Sequence, residues 1–193
     1  MGKIKDFISK NDGKFYKTLF IISLVIIVSL LSHLYNFRQV DKERMVYSTS
    51  RYMESLQVFS AKASAYLENP DDEELLLGLN KMSSDMGSFI KISAYSKSNK
   101  YKDLESALVK LAKLNFEVTF VYFPQVDDGE IKNKIENFIE ANKDLYNFYK
   151  TSESGLPGAS DFENYKGLLE KVQETNKNIT SDFAIEDESL RDE

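Results

Sequence analysis

Few side chains in this sequence could carry out catalysis. The chain has no Cys, and its single His, His33, lies in an apolar stretch that we assign below to a membrane. A nucleophilic Ser or Cys needs a neighbouring base held in place by a third group. The residues beyond the apolar stretch therefore cannot form a Ser-His-Asp triad, although a Ser-Lys pairing is left open. We expect no enzymatic activity and no cofactor.

Metal binding is disfavoured for the same reason, because zinc sites draw mainly on Cys and His. Carboxylates do cluster in "PDDEE" and "VDDGE", at residues 70–74 and 126–130. Neither cluster has EF-hand spacing. Both directly precede apolar helical patterns, where carboxylates commonly cap a helix, and we expect Asp71 to be such a cap. We therefore expect no metal site.

The stretch from Thr18 to Phe37 contains no Asp, Glu, Lys or Arg. At about 1.5 Å per residue, its 20 residues match a hydrocarbon core about 30 Å thick. Its end, "SHLYNFRQV", offers no small-residue site for a signal peptidase, so a retained anchor is favoured over a cleaved signal peptide. The sequence thus predicts a basic cytoplasmic arm at 1–17 and a bilayer-spanning anchor at 18–37.

Charge on the two sides of this anchor bears on its orientation. Five Lys precede it and four basic residues follow within a similar distance, at 38, 42, 44 and 51. Basic residues favour the cytoplasmic side, and a long following domain is translocated largely regardless of charge. We predict an extracytoplasmic C-terminal region, with a cytoplasmic one as the alternative. That region has 20 basic and 29 acidic residues, which argues against binding nucleic acid.

Polar residues interrupt the anchor on one helical face, at Ser29, Ser32 and His33. Such groups can hydrogen-bond to a second span, which makes this face a candidate for pairing in the membrane. His33 also lies near the end of the stretch, where an interfacial anchoring role is the alternative.

Beyond the anchor, apolar residues recur every three or four positions in five segments. This period is typical of amphipathic helices. The helices predicted are at roughly 38–69, 71–90, 102–123, 131–149 and 160–183. In the first, we place Tyr52, Phe59 and Tyr66 in the core and Ser48 on the wet side.

"FEVTFVYF" at 116–123 could instead form a strand, because it is rich in β-branched and aromatic residues. The fold class predicted is all-α: a single transmembrane helix continuing into an antiparallel up-and-down bundle of four to five helices at 38–183. An acidic tail follows at 184–193.

Three aromatic residues could form a surface that another protein covers. Phe116 and Phe120 lie off the main apolar stripe of the third helix, and Phe148 lies on the side of the fourth helix that should face water. The alternative is that a further bundle helix buries them.

The function expected is a non-enzymatic, membrane-anchored module that binds a protein partner or itself at a bacterial envelope. The bacterial source is suggested by 21 Lys against four Arg among 25 basic residues, a bias of AT-rich genomes. A membrane-attached bundle also resembles, at the level of fold, the extracytoplasmic modules of bacterial chemoreceptors. A ligand-sensing module that signals through a partner is therefore the alternative.

Overall fold

The computed structural model describes residues 12–91, 101–151 and 165–185, and all regular structure in these ranges is helical. Helix α1 is Asp12–Glu68, α2 is Glu73–Lys91, α3 is Lys102–Val121, α4 is Gly129–Thr151 and α5 is Tyr165–Asp182. A short 3₁₀ turn at Phe123–Gln125 connects α3 to α4. The all-α prediction is confirmed. The predicted start of the fifth helix, the first 11 residues of the basic arm and the tail from 186 lie outside the described residues.

Residues 116–121 are helical, so the helix interpretation of this stretch is confirmed over the strand. The helix ends before Pro124, which cannot donate a backbone hydrogen bond and lies at the start of the 3₁₀ turn. Buried positions spread widely around α3, such as Ala112 and Leu114, and the packing of α3 against two other helices favours the helical conformation over an isolated strand.

The turn between α1 and α2 forms at Pro70, as the sequence predicts. Pro70 disfavours helical geometry at Asn69, and α1 ends at Glu68. The Asp72 carboxylate then accepts a hydrogen bond from the Leu75 N–H at 2.9 Å. Asp72 is thus the capping residue, and the prediction of Asp71 was wrong by one position. Asp128 caps α4 in the same way, accepting from the Glu130 N–H at 2.8 Å.

The chain divides into two compact units, residues 1–41 and 42–193. In the described part of the first unit, every apolar side chain from Leu19 to Phe37 is exposed. Among the described residues, one helix is long and apolar enough to cross a membrane.

The second unit has a continuous apolar core. Tyr52 and Phe59 of α1 are fully buried, and Tyr66 is nearly so, which confirms the predicted stripe. Phe138 lies at the centre of an aromatic cluster, with ring centroids 6.0, 6.2 and 6.1 Å from those of Phe59, Phe123 and Phe183. All three pairs are edge-to-face, the arrangement favoured by the ring quadrupole. Ser48 is only 7% exposed, so its prediction on the wet side was wrong.

Helix α2 packs against α3, α3 against α5 and α5 against α4, while α1 contacts α3 through Tyr52 and α4 through Phe59. Helices α3 and α5 run in the same direction, because Tyr101 contacts Tyr165 near their starts and Tyr122 contacts Phe183 at their ends. The Tyr122 hydroxyl also donates to the Phe183 carbonyl at 3.0 Å.

Candidate functional site

Phe116 and Phe120 form an exposed aromatic pair on α3. Their rings are nearly parallel, 13° apart, with centroids 5.8 Å from each other. The two side chains are 41% and 62% exposed, and Val121 beside them is 42% exposed. Lys113 and Glu117 are exposed on the same side of the helix. We call these five residues the α3 patch.

The position of the α3 patch follows from the helical period. Asn115, Val118 and Thr119 lie between its members in sequence and are fully buried, so they hold this part of α3 against the core. Residues spaced three or four apart share a face, which places residues 113, 116, 117 and 120 together on the opposite side. The backbone of the patch is therefore fixed by packing while its rings face solvent.

Phe148 does not join this surface. It is half-buried and packs against the core, and no ring contact joins it to Phe116 or Phe120 within the described residues. Phe148 was predicted on the side of α4 that should face water, but its side chain packs partly against the core. The predicted surface thus reduces to the two Phe residues of α3.

A buried polar network lies behind the α3 patch, and the sequence reasoning missed it. The Asn115 amide donates to the Tyr52 hydroxyl at 3.2 Å, and its oxygen accepts from the Asn142 amide at 3.2 Å. The Asn142 amide also donates to the Phe138 carbonyl at 3.1 Å. All three network side chains are fully buried. Burial raises the pKa of Tyr52, and the hydrogen bond with Asn115 opposes that rise.

A second buried amide links α5 to α3. Asn176 donates to the Ala107 carbonyl at 2.9 Å. The oxygens of Asn142 and Asn176 and the Thr49 hydroxyl have no hydrogen-bond partner among the described residues. The signal for these residues was available: Asn115, Asn142 and Asn176 each occupy a position where the apolar 4-3-4-3 pattern calls for a core residue. Polar side chains at such positions set helix register at a cost in stability.

The three predicted residues of the anchor do lie together. Ser29, Ser32 and His33 line one shallow groove along α1, joined by Asn36, which the sequence reasoning overlooked. The apolar rims of the groove are Leu24, Val25 and Val28. Within the described residues, none of the four polar side chains makes a hydrogen bond.

The described ranges hold no cluster suited to a metal ion. No group of three or more His, Asp or Glu side chains there is placed to hold a metal ion. A polar cleft of about 370 Å³ between α4 and α5 contains Glu140, Asp144 and Lys171, and the Lys171 ammonium pairs with Glu174 at 2.9 Å. Asp72 and Asp128, from the two acidic clusters, cap helices as described above.

The chain matches no known protein-family model, no curated protein sequence and no solved structure.

Proposed function

We propose that this protein is a non-enzymatic, single-pass membrane protein that presents a helical bundle outside the cytoplasm of a bacterial cell and binds a partner protein there. The observation that carries the proposal is the α3 patch, an aromatic pair left exposed on a helix whose other large apolar side chains are mostly buried. Residues 18–37 serve as the anchor, and the exposure of every apolar side chain from Leu19 to Phe37 supports that role.

The bundle in this proposal is an antiparallel up-and-down one. Contacts within the second unit support alternating helix directions. Phe59 of α1 contacts Phe138 near the middle of α4, whereas Ser50, earlier in α1, hydrogen-bonds to Tyr149 near the end of α4, as expected for opposite directions. The parallel course of α3 and α5 fits the same alternation, since one helix separates them in sequence.

The energetics of the α3 patch favour a protein partner. Fully burying a Phe side chain contributes about 1.5–3 kcal/mol, and aromatic residues are enriched where interfaces are most buried. Phe116 and Phe120 need no rearrangement to be covered, because their helix is already held by packing. Lys113 and Glu117 at the edge would select a partner with complementary charges. The partner that fits is an amphipathic helix whose apolar face covers both rings.

The test is photo-crosslinking of the full chain in its own cells, with the photoreactive residue placed at 116 or at 120. A discrete crosslinked protein at these two positions, and none at the exposed Asn147 of α4, is the expected result. The double substitution Phe116→Ser and Phe120→Ser should abolish crosslinking from a reporter at Lys113 while leaving the circular dichroism unchanged. Leu77→Ser is the matched control, because Leu77 is 71% exposed on α2 and outside the patch.

Absence of any crosslinked protein at residues 116 and 120 would contradict the proposed interaction. If in addition a small ligand raised the thermal stability of the chain, the sensory alternative would replace it.

A further inference from the structure

We propose that the anchor pairs with the anchor of a second copy of this chain through the groove formed by Ser29, Ser32, His33 and Asn36. This inference rests on the proposed membrane span and names a partner for it.

The four polar side chains form a continuous seam. Ser29, Ser32 and Asn36 are spaced three and four apart, which keeps them on one stripe of a helix, and His33 lies beside them. Toward the N-terminus the same spacing continues through Val25 and Ile22. The opposite side of the helix carries large apolar residues at Ile27, Leu31 and Leu34, with Ser23 one turn before Ile27. The span thus has one polar side and one side suited to lipid.

The side chains of this seam have no hydrogen-bond partner in the part of the chain that the structure describes. Each of the four side chains is exposed, and none donates or accepts a hydrogen bond within the described residues. Ser29 and Ser32 lie deeper in the span than His33 and Asn36, and in hydrocarbon no water satisfies polar groups, so polar residues of spans face other helices and hydrogen-bond across them. The two Ser residues are also small, and small residues let two helix backbones approach closely.

A second copy fits the seam because the seam is complementary to itself. A Ser hydroxyl, an Asn amide and a neutral imidazole each carry both a donor and an acceptor. Two copies inserted in the same direction place identical residues at the same depth. Asn36 then meets Asn36, and Ser29 meets Ser29, across a two-fold axis along the membrane normal. A different span would need matching polar groups at each of these depths.

The absence of Cys makes a direct test possible, because each single-Cys variant of the full chain carries one thiol. Single Cys residues are placed in turn at positions 24–37, and membranes containing each variant are oxidised. We expect disulfide-linked dimers to peak at 25, 29, 32 and 36 and to be weakest at 27, 31 and 34. Uniform crosslinking, no crosslinking, or peaks on the apolar side would overturn the pairing.

A second measurement gives the energetic contribution of the seam. The variant Ser32→Ala, His33→Leu, Asn36→Leu makes the span more apolar, so it is expected to insert at least as well as the parent. Hydrogen bonds between spans contribute modestly, and the loss of three should weaken association by roughly 20-fold in energy transfer between labelled chains diluted in lipid vesicles. The matched control Ile27→Leu, Leu31→Ile, Leu34→Ile should leave association unchanged. Equal effects of the two variants would overturn the proposal.

Extraction of the membranes with alkaline carbonate separates failure of the pairing from failure of the span. Release of the chain would overturn the span and the pairing with it. Retention of the chain without periodic crosslinks would overturn the pairing alone.

Discussion

Replacement of Asn115 by Ala tests whether the buried network holds the bundle together. The substitution removes the donor to the Tyr52 hydroxyl and the acceptor of the Asn142 amide, both at 3.2 Å. The Thr119 hydroxyl still donates to the backbone carbonyl of residue 115, so the helix itself is not altered. The two partners lose their hydrogen bonds in a site with no exposure to water.

The expected loss can be estimated from these contacts. A buried polar group left unsatisfied costs about 1–3 kcal/mol. The Asn142 amide keeps its bond to the Phe138 carbonyl, which lowers its share, and Ala is the better helix former by several tenths of a kcal/mol. We expect Asn115→Ala to lower the free energy of unfolding by about 2–4 kcal/mol. For a chain of this size that is a fall in Tm of roughly 5–15 °C.

The assay is urea and thermal unfolding of the full chain in detergent micelles, followed by circular dichroism. The span stays helical in the micelle, so the transition reports the bundle. Asn147→Ala is the control, because Asn147 is exposed on α4. The triple variant Tyr52→Phe, Asn115→Leu, Asn142→Leu should recover most of the loss, since replacing all partners by apolar groups is close to neutral. Equal stability of Asn115→Ala and Asn147→Ala would refute the reasoning.

Three further predictions concern the helix cap, pH and orientation. Asp72→Ala should lower the free energy of unfolding by about 1 kcal/mol through loss of the α2 cap, whereas Asp71→Ala should change it by no more than a few tenths in the same titration. Burial raises the pKa of both Tyr52 and Tyr149 above the ordinary value of 10.0. Their contribution to stability is therefore complete below pH 10 and is lost above it, as the unfolded chain ionises first; Tyr52→Phe should flatten this alkaline fall in pH-dependent urea midpoints. Protease added to intact cells whose outer surface is open should cut the chain beyond residue 38, and protection until lysis would place the bundle in the cytoplasm instead.

Helical periodicity was sufficient to predict the helices and most of their buried faces. Tyr52, Phe59 and Tyr66 are seven residues apart and all lie in the core. A seven-residue spacing keeps side chains on one stripe whichever helices cover it, so the core face needs no knowledge of the neighbours. Pro70 and Pro124 mark the ends of helices, and the reason is equally local to the sequence.

Periodicity was not sufficient where the outcome depends on which helix lies next to which. Helix α5 packs against both α3 and α4, and nothing in a local pattern specifies that order. Phe148 was placed toward water because it lies off the stripe of α4, yet its long side chain reaches the core from the flank. Ser48 was placed toward water as well, and it is a small polar residue that its neighbours cover.

Polar residues that interrupt an apolar helical pattern are buried in one part of this chain and exposed in another, although the sequence pattern is the same. Asn115 and Asn142 interrupt apolar 4-3-4-3 patterns and are buried, with hydrogen bonds to each other. Ser29, Ser32 and Asn36 follow the same spacing in the anchor, yet they are exposed and make no hydrogen bond within the described residues. In the bundle the covering helices come from the same chain, whereas no described helix covers the polar face of the anchor. This contrast is the physical reason for expecting a second copy at the anchor seam.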